Sequence, residues 1–183
     1  MDAELKERFF LAGQESPGGW LLQALNLKAA ADRLDWKTYP PRDDEPTVSF
    51  LKEYHLLLGL SFENLLKGYI SLVRLERGET LSLPSSCYTH RLEKLANRQE
   101  CAELKISKGE IEVLTRLSPY IEWAGRYPLP KEFSNMIVVC SGSREEEKAL
   151  WDRLYFMLFD LAWIMKGGLE SMGGNKLYMK RRT

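Results

Sequence analysis

The sequence predicts an all-α fold, an up-and-down bundle of about five helices with long central helices. Three observations point to it. Apolar residues recur at three- and four-residue spacing through two long stretches. Sustained apolar–polar alternation, the pattern that builds a sheet, is missing. Ser-x-x-Glu signals stand ahead of two of the helical patterns.

The elements follow in order. Residues 1–15 read as a charged lead around Phe9-Phe10-Leu11. Ser16-Pro17 reads as a helix start, with serine as cap and proline in the first turn. Trp20, Leu21, Ala24, Leu25, Leu27, Ala31 and Leu34 carry the helical spacing to about residue 35. Tyr39-Pro40-Pro41 and Pro46, around a charge cluster, predict a loop over 36–46. From Thr47 a broad apolar stripe runs to Val73, with Gly78 as its stop. Leu56, Leu60 and Leu72 fall off the stripe, so this helix is expected to be central and covered on several sides.

After a Pro84-Ser85-Ser86 loop, a short helix is expected to carry Tyr88, His90, Leu92, Leu95 and Ala96. Ser107-Lys108-Gly109-Glu110 forms a capping box, opening a helix that ends near Gly125. Met136–Val139 reads as a short strand or buried loop. Ser143-Arg144-Glu145-Glu146 is a second capping box, opening a helix that stops at Gly167-Gly168. Residues 16–170 thus form one bundle, followed by a basic tail over 171–183.

Composition narrows the function. Lys and Arg together number 26, as do Asp and Glu, so no net charge draws the chain onto nucleic acid or an anionic membrane. Three dispersed cysteines without a C-x-x-C suggest neither a disulfide framework nor a zinc site, and fit a reducing cytoplasm. No metal or cofactor is expected. The charged N-terminus has no signal-peptide core. Leu154–Met165 is the most apolar stretch, yet falls short of the roughly 20 residues that span a bilayer. No membrane association is expected, and that stretch is a candidate contact for another protein.

Glycine-rich phosphate loops, Gly-x-Ser-x-Gly and His-Glu-x-x-His are all missing, so acid–base chemistry falls to two histidines. His55, inside the apolar stripe, reads as a packed core residue. His90 follows a loop and adjoins Arg91. A neighbouring arginine disfavours the charged imidazole and can share an anionic ligand with it. The alternative is that His90 merely orders the start of its helix.

Glu63 and Lys67 form a favourable i,i+4 pair among hydrophobic neighbours. They read either as a surface salt bridge or as a partly buried pair that anchors something polar. In Trp123-Ala124-Gly125-Arg126-Tyr127-Pro128, an arginine sits between two aromatics after a helix end. Arg126, flanked by Trp123 and Tyr127, can bind an anion or cap its own helix.

Three segments together carry a family resemblance: Gly59-Leu60-Ser61-Phe62-Glu63-Asn64-Leu65-Leu66-Lys67-Gly68, then His90-Arg91-Leu92, then Trp123 to Pro128. Roughly residues 20–130 resemble the HEPN superfamily of helical "higher eukaryotes and prokaryotes nucleotide-binding" domains, and more narrowly bacterial HEPN-like proteins. The resemblance implies a helical bundle, often a homodimer. Many members are metal-independent ribonucleases of toxin–antitoxin and phage-defence systems; others bind nucleotides or partner proteins without catalysis. The family's ribonuclease motif is an Arg four to six residues before a His on one helix. This chain departs from it: residues 49–51 are Ser, Phe and Leu, and residues 84–86 are Pro, Ser and Ser. The expected function is therefore a binding or partner module. The alternative is a metal-independent ribonuclease with a divergent site of His90, Arg91 and Arg126, which must then converge.

Overall fold

A computed structural model of the chain describes residues 17–34, 49–79, 83–127, 131–132 and 143–160. All regular structure in them is helical. The helices are α1 (Pro17–Arg33), α2 (Leu51–Glu76), α3 (Leu92–Ala96), α4 (Lys108–Pro119) and α5 (Arg144–Asp160). Two 3-10 turns, Ser85–Cys87 and Gln99–Leu104, flank α3, and a π turn, Tyr120–Ala124, extends α4. The expected all-α bundle with a long central helix is the fold observed.

The centre is α2. Phe62, Leu65, Leu66, Ile70 and Leu72 are buried on it, and every other helix packs against it. Burying side chains of this size removes about 1.5–3 kcal/mol each of unfavourable hydration. Two glycines let neighbours approach closely. A Cβ on Gly59 would lie 2.7 Å from Ile121 Cγ1, and one on Gly68 would lie 3.1 Å from Trp20 Cβ. The helix stops where expected: Gly78 takes φ +70°, while its N–H bonds Leu75 O and that of Glu79 bonds Arg74 O.

α2 is also the apolar segment that matters. By length and composition it could cross a membrane, but 72% of its most apolar window is buried inside the bundle. In α5, by contrast, Leu154 and Leu158 are buried while Phe156 is exposed, so its described part is amphipathic rather than apolar all round.

The first capping box is complete. Ser107 Oγ accepts the Glu110 N–H and Glu110 Oε2 accepts the Ser107 N–H. The second is half made: Ser143 Oγ accepts the Glu146 N–H, but its hydroxyl donates to Glu145, and Glu146 faces Arg116. α4 gives way to the π turn after Pro119, which has no N–H to continue the ladder, and the Gly125 N–H reaches back five residues to Tyr120 O.

The short helix differs from expectation. It begins only at Leu92, so Tyr88 and His90 lie in the irregular segment ahead of it. Its first amide is capped from another element: Ser118 Oγ on α4 accepts the Leu92 N–H at 2.9 Å. The turn Gln99–Leu104 has no strong sequence signal and ends at Lys105 in a left-handed conformation, φ 46°. Residues 1–15, the 36–46 loop, Met136–Val139, Gly167-Gly168 and the tail over 171–183 lie outside the described residues.

Candidate functional site

Helical spacing brings Glu63 and Lys67 to one face of α2, a turn apart. Lys67 Nζ donates to Glu63 Oε1 at 2.6 Å. Both side chains are only 7% exposed, so the pair is buried rather than a surface salt bridge. Burying two charges is costly unless each is paired and hydrogen-bonded.

The second oxygen of Glu63 faces His90. The His90 Nδ1 to Glu63 Oε2 distance is 2.8 Å, so the buried carboxylate fixes the ring. The His90 side chain is 48% exposed, and no hydrogen bond engages Nε2 among the described residues. A neutral ring that donates Nδ1–H to the carboxylate leaves Nε2 as a proton acceptor; a charged ring leaves it as a donor.

The loop that presents His90 is anchored on both sides. Upstream, Cys87 is buried, and Arg98 Nη1 donates to Ser86 Oγ at 2.8 Å. Arg98 also forks onto Glu100, at 2.8 and 3.2 Å. Burial tends to raise the Glu100 carboxyl, but the Arg98 hydrogen bonds and the backbone outweigh it and hold it below the usual range. Burial pushes the Cys87 thiol up. Downstream, Thr89 Oγ1 accepts the Arg91 N–H at 3.1 Å, and Ser118 caps Leu92.

Two aromatic rings flank the Lys67 ammonium. It lies 5.6 Å from the Trp20 ring centroid and 5.9 Å from that of Tyr88. These are cation–π distances. Tyr88 is 68% exposed, and Trp20 Nε1 is buried without a hydrogen-bond partner among the described residues. Spacing on α2 pointed to Glu63 and Lys67. The pairing of Glu63 with His90, 27 positions apart, has no local sequence signal, and neither do Trp20 and Tyr88.

The other expected residues are not part of this cluster. Arg91 Nε donates to Glu93 Oε1 at 2.8 Å, two residues along its own segment. Arg126 Nη2 donates to the carbonyls of Ile121 and Glu122, so it caps the end of its own helix. Each guanidinium takes the nearest local acceptors, and no hydrogen bond or ion pair joins Arg91 or Arg126 to His90 among the described residues. Trp123 is half-buried and Tyr127 exposed, and neither contacts Glu63, Lys67 or His90 by hydrogen bond or ring stacking among those residues.

No group of three or more potential ligands could hold a metal ion among the described residues. Comparisons with protein-family models, curated proteins and solved structures found no match for this chain.

Proposed function

We propose that this chain is a HEPN-like helical domain acting as a binding or partner module, a cytoplasmic homodimer in a bacterial toxin–antitoxin or defence system. One observation supports the binding role most: a buried Glu63–Lys67 pair that reaches the surface through His90. A bundle gains little stability from burying such a pair, since apolar side chains of similar volume would serve as well. Its use lies in presenting fixed polar atoms to something outside. The resemblance around Gly59–Gly68 supplies the family part of the reading.

A second reading is a metal-independent ribonuclease. The Glu63–His90 contact favours it, because a carboxylate that orients a histidine is a common acid–base arrangement. Against it stands the lack, among the described residues, of any arginine paired into the cluster.

The test is incubation with mixed single-stranded and transfer RNA in chelator, comparing wild type with His90→Ala. The module reading expects intact RNA with both. Cleavage by wild type that disappears in His90→Ala overturns it in favour of the ribonuclease.

A further inference from the structure

Counting donors against acceptors around Lys67 gives an imbalance. Glu63 has two oxygens, and both are engaged, one by Lys67 Nζ at 2.6 Å and one by His90 Nδ1 at 2.8 Å. The ammonium has three N–H groups, and Glu63 is the one hydrogen-bond acceptor it meets among the described residues. Its other neighbours there are the faces of Trp20 and Tyr88, which attract a cation but accept no full hydrogen bond. On the same indole, Nε1–H is buried and has no acceptor among the described residues. Buried donors are nearly always paired in folded proteins, so a surplus of them at one place calls for an acceptor from outside.

The chemistry of that acceptor follows from the groups. Glu63 and Lys67 cancel in charge, and every unused hydrogen-bonding group left on Lys67 and Trp20 is a donor. A cationic ligand would meet the ammonium, and a neutral apolar one would leave the donors unpaired. Access lies on the Tyr88 side. That ring is 68% exposed, stands in an irregular segment, and has its centroid 5.9 Å from the ammonium.

Resting on the binding reading above, we infer that Lys67 Nζ and Trp20 Nε1 form the donor pair of a site for a small oxyanion, phosphate or carboxylate in class, that enters by displacing the Tyr88 ring. Glu63 is a positioning residue here: it fixes the lysine while leaving two of its N–H groups for the ligand. Because its negative charge also opposes the anion, neutralising it strengthens binding.

The experiment is a proton–nitrogen NMR titration of the full chain at constant ionic strength. The probes are inorganic phosphate, acetate and chloride, and Trp20→Phe assigns the Trp20 indole signal. A saturable shift of that signal with phosphate or acetate, and none with chloride, is expected; whichever of the two saturates first identifies the source. Lys67→Met should weaken the midpoint at least tenfold, and Glu63→Gln should tighten it several-fold. An indole that does not move, moves without saturation, or moves equally in Lys67→Met overturns the site. Should Lys67→Met fail to fold, the thermal midpoint decides: phosphate or acetate raises it in wild type and not in Trp20→Phe, and an equal rise in both overturns the site. Loss of the oxyanion site leaves the partner-module reading standing, whereas RNA cleavage abolished by His90→Ala removes that reading whether or not an anion binds.

Discussion

The same central helix makes two histidine–glutamate contacts, and they differ in one respect. At one end, His55 of α2 meets Glu147 of α5, Nε2 to Oε1 at 3.3 Å. About 12 Å further along the axis, Glu63 of α2 meets His90 of the loop before α3. The His55 side chain is 5% exposed and that of His90 48%. His55 lies between the rings of Tyr54 and Tyr120, at 5.1 and 4.6 Å, and Tyr54 OH approaches Glu147 at 3.5 Å. A sealed contact of this kind can join α5 to α2 and do little else. An open one can meet a ligand. Burial, rather than residue type, separates the structural histidine from the candidate functional one.

The widest gap between the two contacts should appear in stability. Among the described residues, His55→Ala leaves the buried Glu147 carboxylate with the long contact to Tyr54, and it opens a void beside Tyr120. That should cost about 3 kcal/mol. His90→Ala removes a half-exposed ring and leaves Glu63 paired with Lys67, so it should cost under about 1 kcal/mol. Urea unfolding of both variants measures the two costs. Equal costs would erase the distinction between a sealed and an open contact.

A smaller effect comes from the second tie on α5. Arg153 Nε donates to Glu110 Oε1 at 2.7 Å, and Arg153 Nη1 to Leu104 O at 2.9 Å. Burial tends to raise the Glu110 carboxyl, but the Ser107 backbone N–H and Arg153 together hold it below the ordinary value. A lowered folded value means stability that is present above the unfolded value, about 4.3, and lost as pH falls through the folded one. Glu110→Gln should therefore lower stability at neutral pH by under about 1 kcal/mol, because the pair is partly solvated, and reduce the loss on acidification below pH ~4. Unfolding curves at pH 7 and pH 3 give the difference; an unchanged acid dependence would mean that Glu110 is not a clamp on α5.

The sequence was most readable where the cause is local. Gly78 as a stop, the Ser107–Glu110 box, the helical pairing of Glu63 with Lys67 and the core position of His55 all depend on neighbours within a few positions, and each appears in the structure. It was least readable where the cause is tertiary. Ser118 caps α3 from 26 positions away, so the start of that helix could not be placed from its own residues. Arg91 and Arg126 have the right chemistry for an anion site, but local acceptors claim them first. The cluster that does form combines one legible pair with three residues, Trp20, Tyr88 and His90, that only folding brings to it.

The finest difference lies between the His90 loop and the Gln99–Leu104 turn, and two thiols report on it. Burial pushes Cys101 up to about 12 and raises Cys87 as well. The thiolate is the reactive form, so at pH 8 both should alkylate far more slowly in the folded chain than in urea. They differ in what must move to expose them. Cys101 sits in the Gln99–Leu104 turn packed on α2, whereas Cys87 immediately precedes Tyr88, in the segment that must give way for the Lys67 ammonium to open. If that segment is the moving part, Cys87 alkylates several-fold faster than Cys101, and Tyr88→Ala, which removes the cover, widens the ratio. Mass spectrometry of iodoacetamide-treated protein over time separates the two sites. Equal rates would mean that both thiols await the same global unfolding, and that the loop is as rigid as the core beneath it.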